Sequence, residues 1–175
     1  KVELVYGEAY FDVSSSIKNN GSSFQVFTKG QEVNVLGTQF NIKAYNEDSF
    51  IATTLVEGKV MIQKEGIKKM LKPNQQSKID YNSNSIDILE IDVLEEVSWI
   101  NGLFSFNEVS LEDMMKSLSR WYDLQVVFEV AERKQFVFTG VLERSKTINE
   151  LLKIVEATSE GEITFVIHDK TVTIK

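Results

Sequence analysis

Cysteine is absent from the 175-residue chain, which also has a single histidine and a single proline. Without cysteine there are no disulfides, no thiolate metal ligands and no thiol nucleophile. The absence leaves the compartment open, because many periplasmic proteins also lack cysteine. One histidine cannot build a soft-ligand metal site without partners of its own kind. The sequence therefore predicts no metal site built on thiolate or imidazole ligands, and the missing motifs described below extend the prediction to metals and cofactors in general.

A basic surplus is also missing. The net charge is −7 with a pI near 4.9. Residues 1–98 carry 10 Lys/Arg against 14 Asp/Glu, and residues 99–175 carry 9 against 12, so both halves are acidic. Neutralising phosphates requires clustered Lys and Arg. We therefore expect no nucleic-acid partner.

Long apolar runs are missing too. No window approaches the ~20 apolar residues of a membrane span, and the opening KVELVYGEAY is not a signal peptide. The chain is then either cytosolic or a piece of a longer protein. A first residue other than Met favours the second alternative.

The front half, from Lys1 to about Val93, alternates apolar and polar residues with a period of two, as at Phe40, Ile42 and Ala44. This pattern is typical of half-buried strands. Many short strands without helices predict a β-sandwich or a short β-solenoid. A weak echo of residues 5–9 at residues 56–60 favours the solenoid. Turn signals separate the runs at 19–21, 46–48, 65–66, 73–74 and 82–85.

The pattern changes after Asp92. Residues 93–99 fit one short helical turn, which Asn101-Gly102 would end. We place the boundary here, with an all-β domain at 1–98 and an α+β domain at 99–175.

The back half repeats itself at an offset of 37 residues. Residues 110–115 align with 147–152, and each copy opens with a Ser or Thr followed three residues later by Asp or Glu. Ser110 with Asp113, and Thr147 with Glu150, therefore predict two capping boxes. Apolar stripes with helical spacing follow both caps, and strand-like runs flank each helix. The prediction is a duplicated βαβ-βαββ domain, with helical stripes at Leu111, Met114, Met115, Leu118 and Tyr122 and at Ile148, Leu151, Leu152 and Val155.

No catalytic motif accompanies this pattern. The sequence lacks a nucleophile elbow, a phosphate-binding loop, a zinc-protease motif and a dinucleotide fingerprint. His168 lies beside the last hairpin turn and has no evident partner. The acidic run at 87–96 lacks the spacing of a calcium loop, and Glu112-Asp113 fits helix capping. Asn20-Gly21-Ser22 matches a glycosylation sequon only formally. We predict that the protein is not an enzyme and has no catalytic residues.

Aromatic residues supply the remaining candidates. Trp121, Tyr122, Trp99 and Phe104 could form a binding platform, although core packing is the more ordinary role. The segment Phe136, Val137 and Phe138 is apolar on both faces of a predicted strand, so either both faces are buried or one is exposed. We predict that these three residues form a partner-binding surface.

Two segments, VLGTQFNIKAY at 35–45 and TTLVEGKV at 53–60, form a specific signature. Through them and several shorter matching segments, the sequence resembles the periplasmic part of FecR-like anti-sigma factors over nearly its whole length. Such proteins tend to have Pro-Gly where this chain has Pro73-Asn74, and Asn preserves a type II turn there. The matching segments are GEAYFDV at 7–13, FQVFT at 24–28, VNVLGTQFNIKAY at 33–45, TTLVEGKV at 53–60, LKPNQQS at 71–77, WING at 99–102, FNEVSL at 106–111, LSRWYDL at 118–124 and FTG at 138–140.

The resemblance implies a β-solenoid-like FecR domain at 1–98 and, at 99–175, a domain similar to the secretin and TonB short N-terminal fold. It implies the periplasmic domain of a single-pass inner-membrane protein. Its partner would be the N-terminal signalling domain of a TonB-dependent outer-membrane transporter. An extracytoplasmic-function sigma factor would bind a cytosolic domain that, like the membrane helix, is not in this sequence. The alternative is an envelope- or carbohydrate-binding β-module without a signalling partner.

Overall fold

In the computed structural model, which describes residues 1–14, 23–83 and 85–175, the chain forms two compact units, Lys1–Val97 and Ser98–Lys175. It is mainly β with a few helices, and its strands form several sheets, none of them closed. The predicted turn at 19–21 and the formal sequon Asn20-Gly21-Ser22 lie outside the described residues.

Two five-stranded sheets make up the first unit. The first has the order β1-β3-β4-β7-β8 and the second β10-β9-β6-β5-β2. All neighbours pair antiparallel except β1 and β3. The strands are β1 Val2–Glu3, β2 Gly7–Val13, β3 Phe24–Thr28, β4 Gln31–Val35, β5 Thr38–Ala44, β6 Phe50–Glu57, β7 Val60–Lys64, β8 Ile67–Leu71, β9 Gln75–Asp80 and β10 Asp87–Glu90.

Both sheets contribute to one apolar core. In β4 and β7 every second residue is buried, as the period of two predicts. Phe40 and Ile42 of β5 meet Val33 of β4 and Ile62 of β7 in the same cluster. Asn41, predicted to be on the polar face, is also buried, and its amide donates to Glu8 over 2.7 Å.

Two predicted turns have the geometry that their residues favour. Glu65 and Gly66 both have positive φ (47° and 85°) and join β7 to β8 as a two-residue hairpin. At Pro73-Asn74 the φ of Asn74 is 67°, and Gln75 N–H donates to Lys72 C=O over 3.1 Å. The type II turn with Asn in place of Gly is therefore confirmed.

The first unit ends in the short helix α1, Val93–Glu96, which packs against β6. The Asp92 carboxylate caps α1 by accepting the N–H groups of Leu94 and Glu95. A helical turn was predicted at 93–99; the structure shortens it and adds a separate 3₁₀ turn, Ser98–Asn101, which ends at Gly102 with φ 73°.

The second unit alternates strands and helices. It contains a two-stranded antiparallel sheet, β11 with β13, and a three-stranded sheet in the order β12-β15-β14. A 3₁₀ turn that the sequence pattern did not predict, Ala131–Gln135, precedes β13. The elements are β11 Leu103–Ser110, α2 Leu111–Tyr122, β12 Gln125–Phe128, β13 Val137–Glu143, α3 Ile148–Thr158, β14 Phe165–His168 and β15 Thr171–Ile174.

The predicted helical stripes form the core of this unit. Leu111, Met114, Met115 and Leu118 of α2 are at most 1% exposed and join Leu151, Leu152 and Val155 of α3 in one cluster. Tyr122 and Ile148 pack against that cluster while partly buried. Both helices therefore begin and face the core as the periodicity predicts.

The two predicted capping boxes differ. At α3 the box is complete, since the Thr147 hydroxyl accepts Glu150 N–H and the Glu150 carboxylate accepts Thr147 N–H over 2.8 Å. At α2 the Ser110 hydroxyl accepts Asp113 N–H over 3.1 Å, but the Asp113 carboxylate accepts the Ser110 hydroxyl over 2.9 Å instead. The predicted reciprocal bond to the backbone is replaced because Asp is one methylene shorter than Glu.

Candidate protein-binding edge

Strand β13 is the edge where the predicted partner-binding residues lie. It pairs with β11 on one side, and no described strand pairs with its other side. The short sheet alternates along β13: Phe138 and Leu142 pack on the core, while Val137 and Val141 face outward and are 56% and 61% exposed. The edge therefore presents apolar side chains beside an unpaired backbone.

Phe136, Val137 and Phe138 occupy two different environments. The two phenylalanines are partly buried against the core, with ring centroids 5.2 Å apart. Val137 lies between them and points away from the core. Of the two alternatives that the sequence left open, one exposed face is the one observed. A partner strand added here would contact Val137 directly, while Phe136 and Phe138 would hold β13 itself against the core.

The hydrogen bonding shows which backbone groups of β13 face outward. Leu111 N–H donates to Phe136 C=O over 2.6 Å, and Ser110 is the register partner of Val137. In an antiparallel ladder this makes Ser110 and Val137 a non-hydrogen-bonded pair, so the backbone N–H and C=O of Val137 point away from β11. Val137 thus offers a donor and an acceptor to an added strand.

Charged residues fix the segment that leads into this edge. Lys134 Nζ lies 2.9 Å from Glu112 Oε1 of α2 and 5.5 Å from the centroid of the Phe128 ring. Arg133 lies 3.9 Å from Glu162. The ion pair between Lys134 and Glu112 therefore holds the 3₁₀ turn before β13 against α2. Neither pair could be predicted from the sequence, because their members are 22 and 29 residues apart.

The predicted aromatic platform is partly formed. Phe104 lies 6.4 Å from Trp121 and 6.5 Å from Tyr122, measured between ring centroids. Arg144, which the sequence pattern did not single out, has its guanidinium 3.6 Å from the Trp121 ring centroid and 4.9 Å from that of Phe104. The Tyr122 hydroxyl donates to Lys146 C=O over 2.6 Å, and burial raises the pKa of Tyr122. Trp121 is still half exposed, whereas Phe104 is buried.

The remaining polar candidates lie apart from one another. His168 ends β14 with its side chain exposed, 3.2 Å from the Asp169 carboxylate. The acidic run divides between β10, the cap of α1 and α1 itself, where Glu96 pairs with Lys43. Within residues 1–14, 23–83 and 85–175, no three His, Asp or Glu side chains are arranged to hold a metal. No helix among them has the length and apolar character needed to cross a membrane.

Comparison with known proteins identifies the family. The FecR protein family model matches residues 1–61, and the model for the FecR C-terminal region matches residues 103–174. Together the matches span 133 of the 175 residues. No curated protein matches the sequence.

Two crystal structures from Parabacteroides distasonis ATCC 8503, both of a candidate anti-sigma factor, are similar to this chain. The structure at 1.65 Å resolution superimposes with a TM-score of 0.79 and 25% identity, over 97% of this chain and 77% of that one. The structure at 2.50 Å resolution also gives a TM-score of 0.79, with 24% identity, over 99% of this chain and 79% of that one. The family matches and the shared fold agree: the chain belongs to the family of FecR-like anti-sigma factors.

Proposed function

We propose that this chain is the periplasmic sensor part of a transmembrane anti-sigma factor. In this role it receives a signal from a TonB-dependent outer-membrane transporter and regulates an extracytoplasmic-function sigma factor. The family supports a regulatory function, with a sigma factor as one partner. The observation that carries the proposal is the open edge of β13 in the region matched by the FecR C-terminal model, because signal reception requires a surface free to bind a protein.

The transporter's N-terminal signalling domain is the proposed occupant of this edge. A strand of that domain would pair with Val137 through the outward N–H and C=O. Backbone pairing supplies affinity, and the side chains on either side of the added strand supply specificity. The exposed side chains of Val137 and Val141, four residues apart on β13, would contact side chains of the added strand on the face that points away from the core.

The architecture of each unit is part of the proposal. Two sheets that share one core and pair almost entirely antiparallel support the sandwich-like description of residues 1–98 over coils of a solenoid. The order β-α-β followed by β-α-β-β supports a duplicated unit at 99–175, similar to the secretin and TonB short N-terminal fold. The first unit would then serve mainly as a spacer.

A regulatory function fits the side chains better than catalysis does. His168 is exposed beside an aspartate at a strand end, without a nucleophile in the described contacts. The carbohydrate-binding alternative calls for several exposed aromatic rings on one face. Among the large apolar side chains that the structure shows as exposed, the aromatic ones are Tyr6 and Trp121, one in each unit.

Transcript measurements in the source organism test the signalling role. Strains encoding the wild-type protein, Val137→Pro or Val137→Thr in the chromosomal gene are grown across a panel of media. We expect wild type and Val137→Thr to share a set of sigma-dependent transcripts that respond to one medium. Val137→Pro should lose that response, whichever its sign, because proline removes the outward donor. A normal response at equal protein level, measured by immunoblot, would contradict the proposal.

A further inference from the structure

A second open edge lies in the first unit, far along the chain from β13. Strand β8 is the last strand of its sheet, and its first four residues are exposed. Ile67 and Met70 are 40% and 55% exposed. Exposed edges of this length readily accept another strand, so natural proteins either cover them or use them.

The hairpin geometry identifies the free backbone groups of β8. Lys64 and Ile67 flank the two-residue turn at Glu65-Gly66 and therefore exchange hydrogen bonds with each other. Because backbone direction alternates along a strand, Lys69 also faces β7, while Lys68 and Met70 direct their N–H and C=O groups outward. Two donors and two acceptors are thus available.

The charge of this edge is opposite to that of the chain. Residues 59–72 contain five lysines and one acidic residue, Glu65, in a protein of net charge −7. Lys68 and Lys69 lie on opposite faces of β8. In the described part of the chain, Lys68, Lys69 and Lys72 form no ion pair. Their charges remain available to a partner.

We propose that β8 is a second docking edge, which binds an extended acidic segment of another protein by strand addition. The segment carries adjacent carboxylates opposite Lys68 and Lys69, flanked by apolar residues opposite Ile67 and Met70. The lysines select this partner in two ways: they attract carboxylates, and they repel the β8 edge of a second copy. This inference is independent of the docking proposed at β13.

The test uses the peptide Thr-Val-Glu-Glu-Val-Thr, acetylated and amidated, with Thr-Val-Lys-Lys-Val-Thr as its control. Each is titrated into the ¹⁵N-labelled protein, and amide shifts are followed by NMR. We expect the acidic peptide to shift the Lys68 and Met70 amides, with an affinity that falls as salt is added. The basic peptide should leave both amides in place.

Two variants separate backbone from charge. Met70→Pro removes an outward donor without touching the hairpin bonds, and should weaken binding about fivefold, as the loss of one hydrogen bond implies. Met70→Ala keeps the donor and serves as its control. Reversing both lysines, Lys68→Glu with Lys69→Glu, should switch preference to the basic peptide. Circular dichroism checks that every variant stays folded.

Three outcomes would overturn the inference. One is equal binding, or equal absence of binding, of the two peptides to the wild-type protein. Another is shifts that map to residues away from β8. The third is association of the protein with itself through the acidic strand β10. Sedimentation would show it as a mass that rises with concentration in the wild-type protein but not in the double variant Asp87→Lys with Glu90→Lys.

Discussion

Lys43 Nζ of β5 lies 2.6 Å from Glu96 Oε2 of α1 and 3.8 Å from Glu8 Oε1 of β2. Burial disfavours the charged ammonium, but the two carboxylates outweigh it and raise the pKa of Lys43. The pair connects the last helix of the first unit to the sheet beneath it, 53 residues earlier in the chain. It is therefore a long-range restraint on the segment that ends the first unit.

Breaking this pair should loosen α1. Glu96→Gln leaves Lys43 with Glu8 as its nearest carboxylate and should lower the free energy of unfolding by about 1 kcal/mol, since both side chains are about one-third exposed. Lys43→Met should cost a similar amount. In a double-mutant cycle measured by urea unfolding, the double variant should lose less than the two single losses combined. Strict additivity would show that the contact contributes nothing.

The Lys43 pair also predicts a pH dependence. Because the folded pKa is raised, the stabilisation is complete below the unfolded pKa and is lost as the pH rises through the folded value. Above the ordinary lysine value of 10.5, wild type and Lys43→Met should therefore converge in urea midpoint. A gap between them that widens with alkaline pH would contradict the assignment.

The N-caps of α2 and α3 should be separable by mutation. Ser110→Ala and Thr147→Ala should each cost about 0.5–2 kcal/mol of unfolding free energy, because each removes the acceptor of an otherwise unpaired N–H. Thr147 should cost more, since only its box is reciprocal. Ser117→Ala, within α2, is the matched control and should change stability by less than about 0.5 kcal/mol. Unmoved denaturant midpoints at both caps would show that the helix register is wrong.

Acid should weaken the cap of α3 in particular. Hydrogen bonds from the Thr147 hydroxyl and then its backbone N–H hold the pKa of Glu150 below the ordinary 4.5. A lowered folded pKa means that the stabilisation is present above the unfolded value and is lost as pH falls through the folded one. Urea midpoints of wild type and Glu150→Gln should thus differ at pH 6 and converge towards pH 3. A Glu150 carboxyl that titrates at or above 4.5 by NMR would contradict this.

The two units should be separable by protease. Each has its own apolar core, and the segment around Trp99–Gly102 lies at the boundary between them. Limited proteolysis should cut at or near this segment, and residues 98–175 expressed alone should unfold cooperatively. If residues 98–175 stay unfolded when expressed alone, the second unit depends on the first in order to fold.

Features that depend on neighbours along the chain could be predicted from the sequence. Leu111 and Leu118 share a helical face because of their spacing. Asn74 adopts a positive φ because Asn tolerates the conformation that a type II turn beginning at Pro73 requires. Both result from local geometry: two turns of a helix in the first case and the four residues of one β-turn in the second. The helices, their caps and most turns belong to this class.

Features that depend on residues distant in the chain could not be predicted from the sequence. The sheet orders place β4 beside β7, and β1 beside β3, which no local pattern encodes. Asn41 is buried at a polar position of the alternation, with Glu8 accepting from its amide. Arg144 lies over Trp121 only because β13 ends beside α2. The sequence shows that the segment around Val137 is apolar. The outward direction of the Val137 N–H and C=O groups, however, follows only from the pairing of Val137 with Ser110 in the structure.

Titration calorimetry with the N-terminal signalling domains of the organism's TonB-dependent transporters, one at a time, tests the central claim most directly. The wild-type chain and Val137→Thr should bind one of them. Val137→Pro should bind it weakly or not at all while its circular dichroism spectrum stays unchanged. Equal binding by Val137→Pro, or binding retained by residues 1–97 alone, would contradict docking at the β13 edge; the absence of binding to every such domain would contradict the transporter as partner.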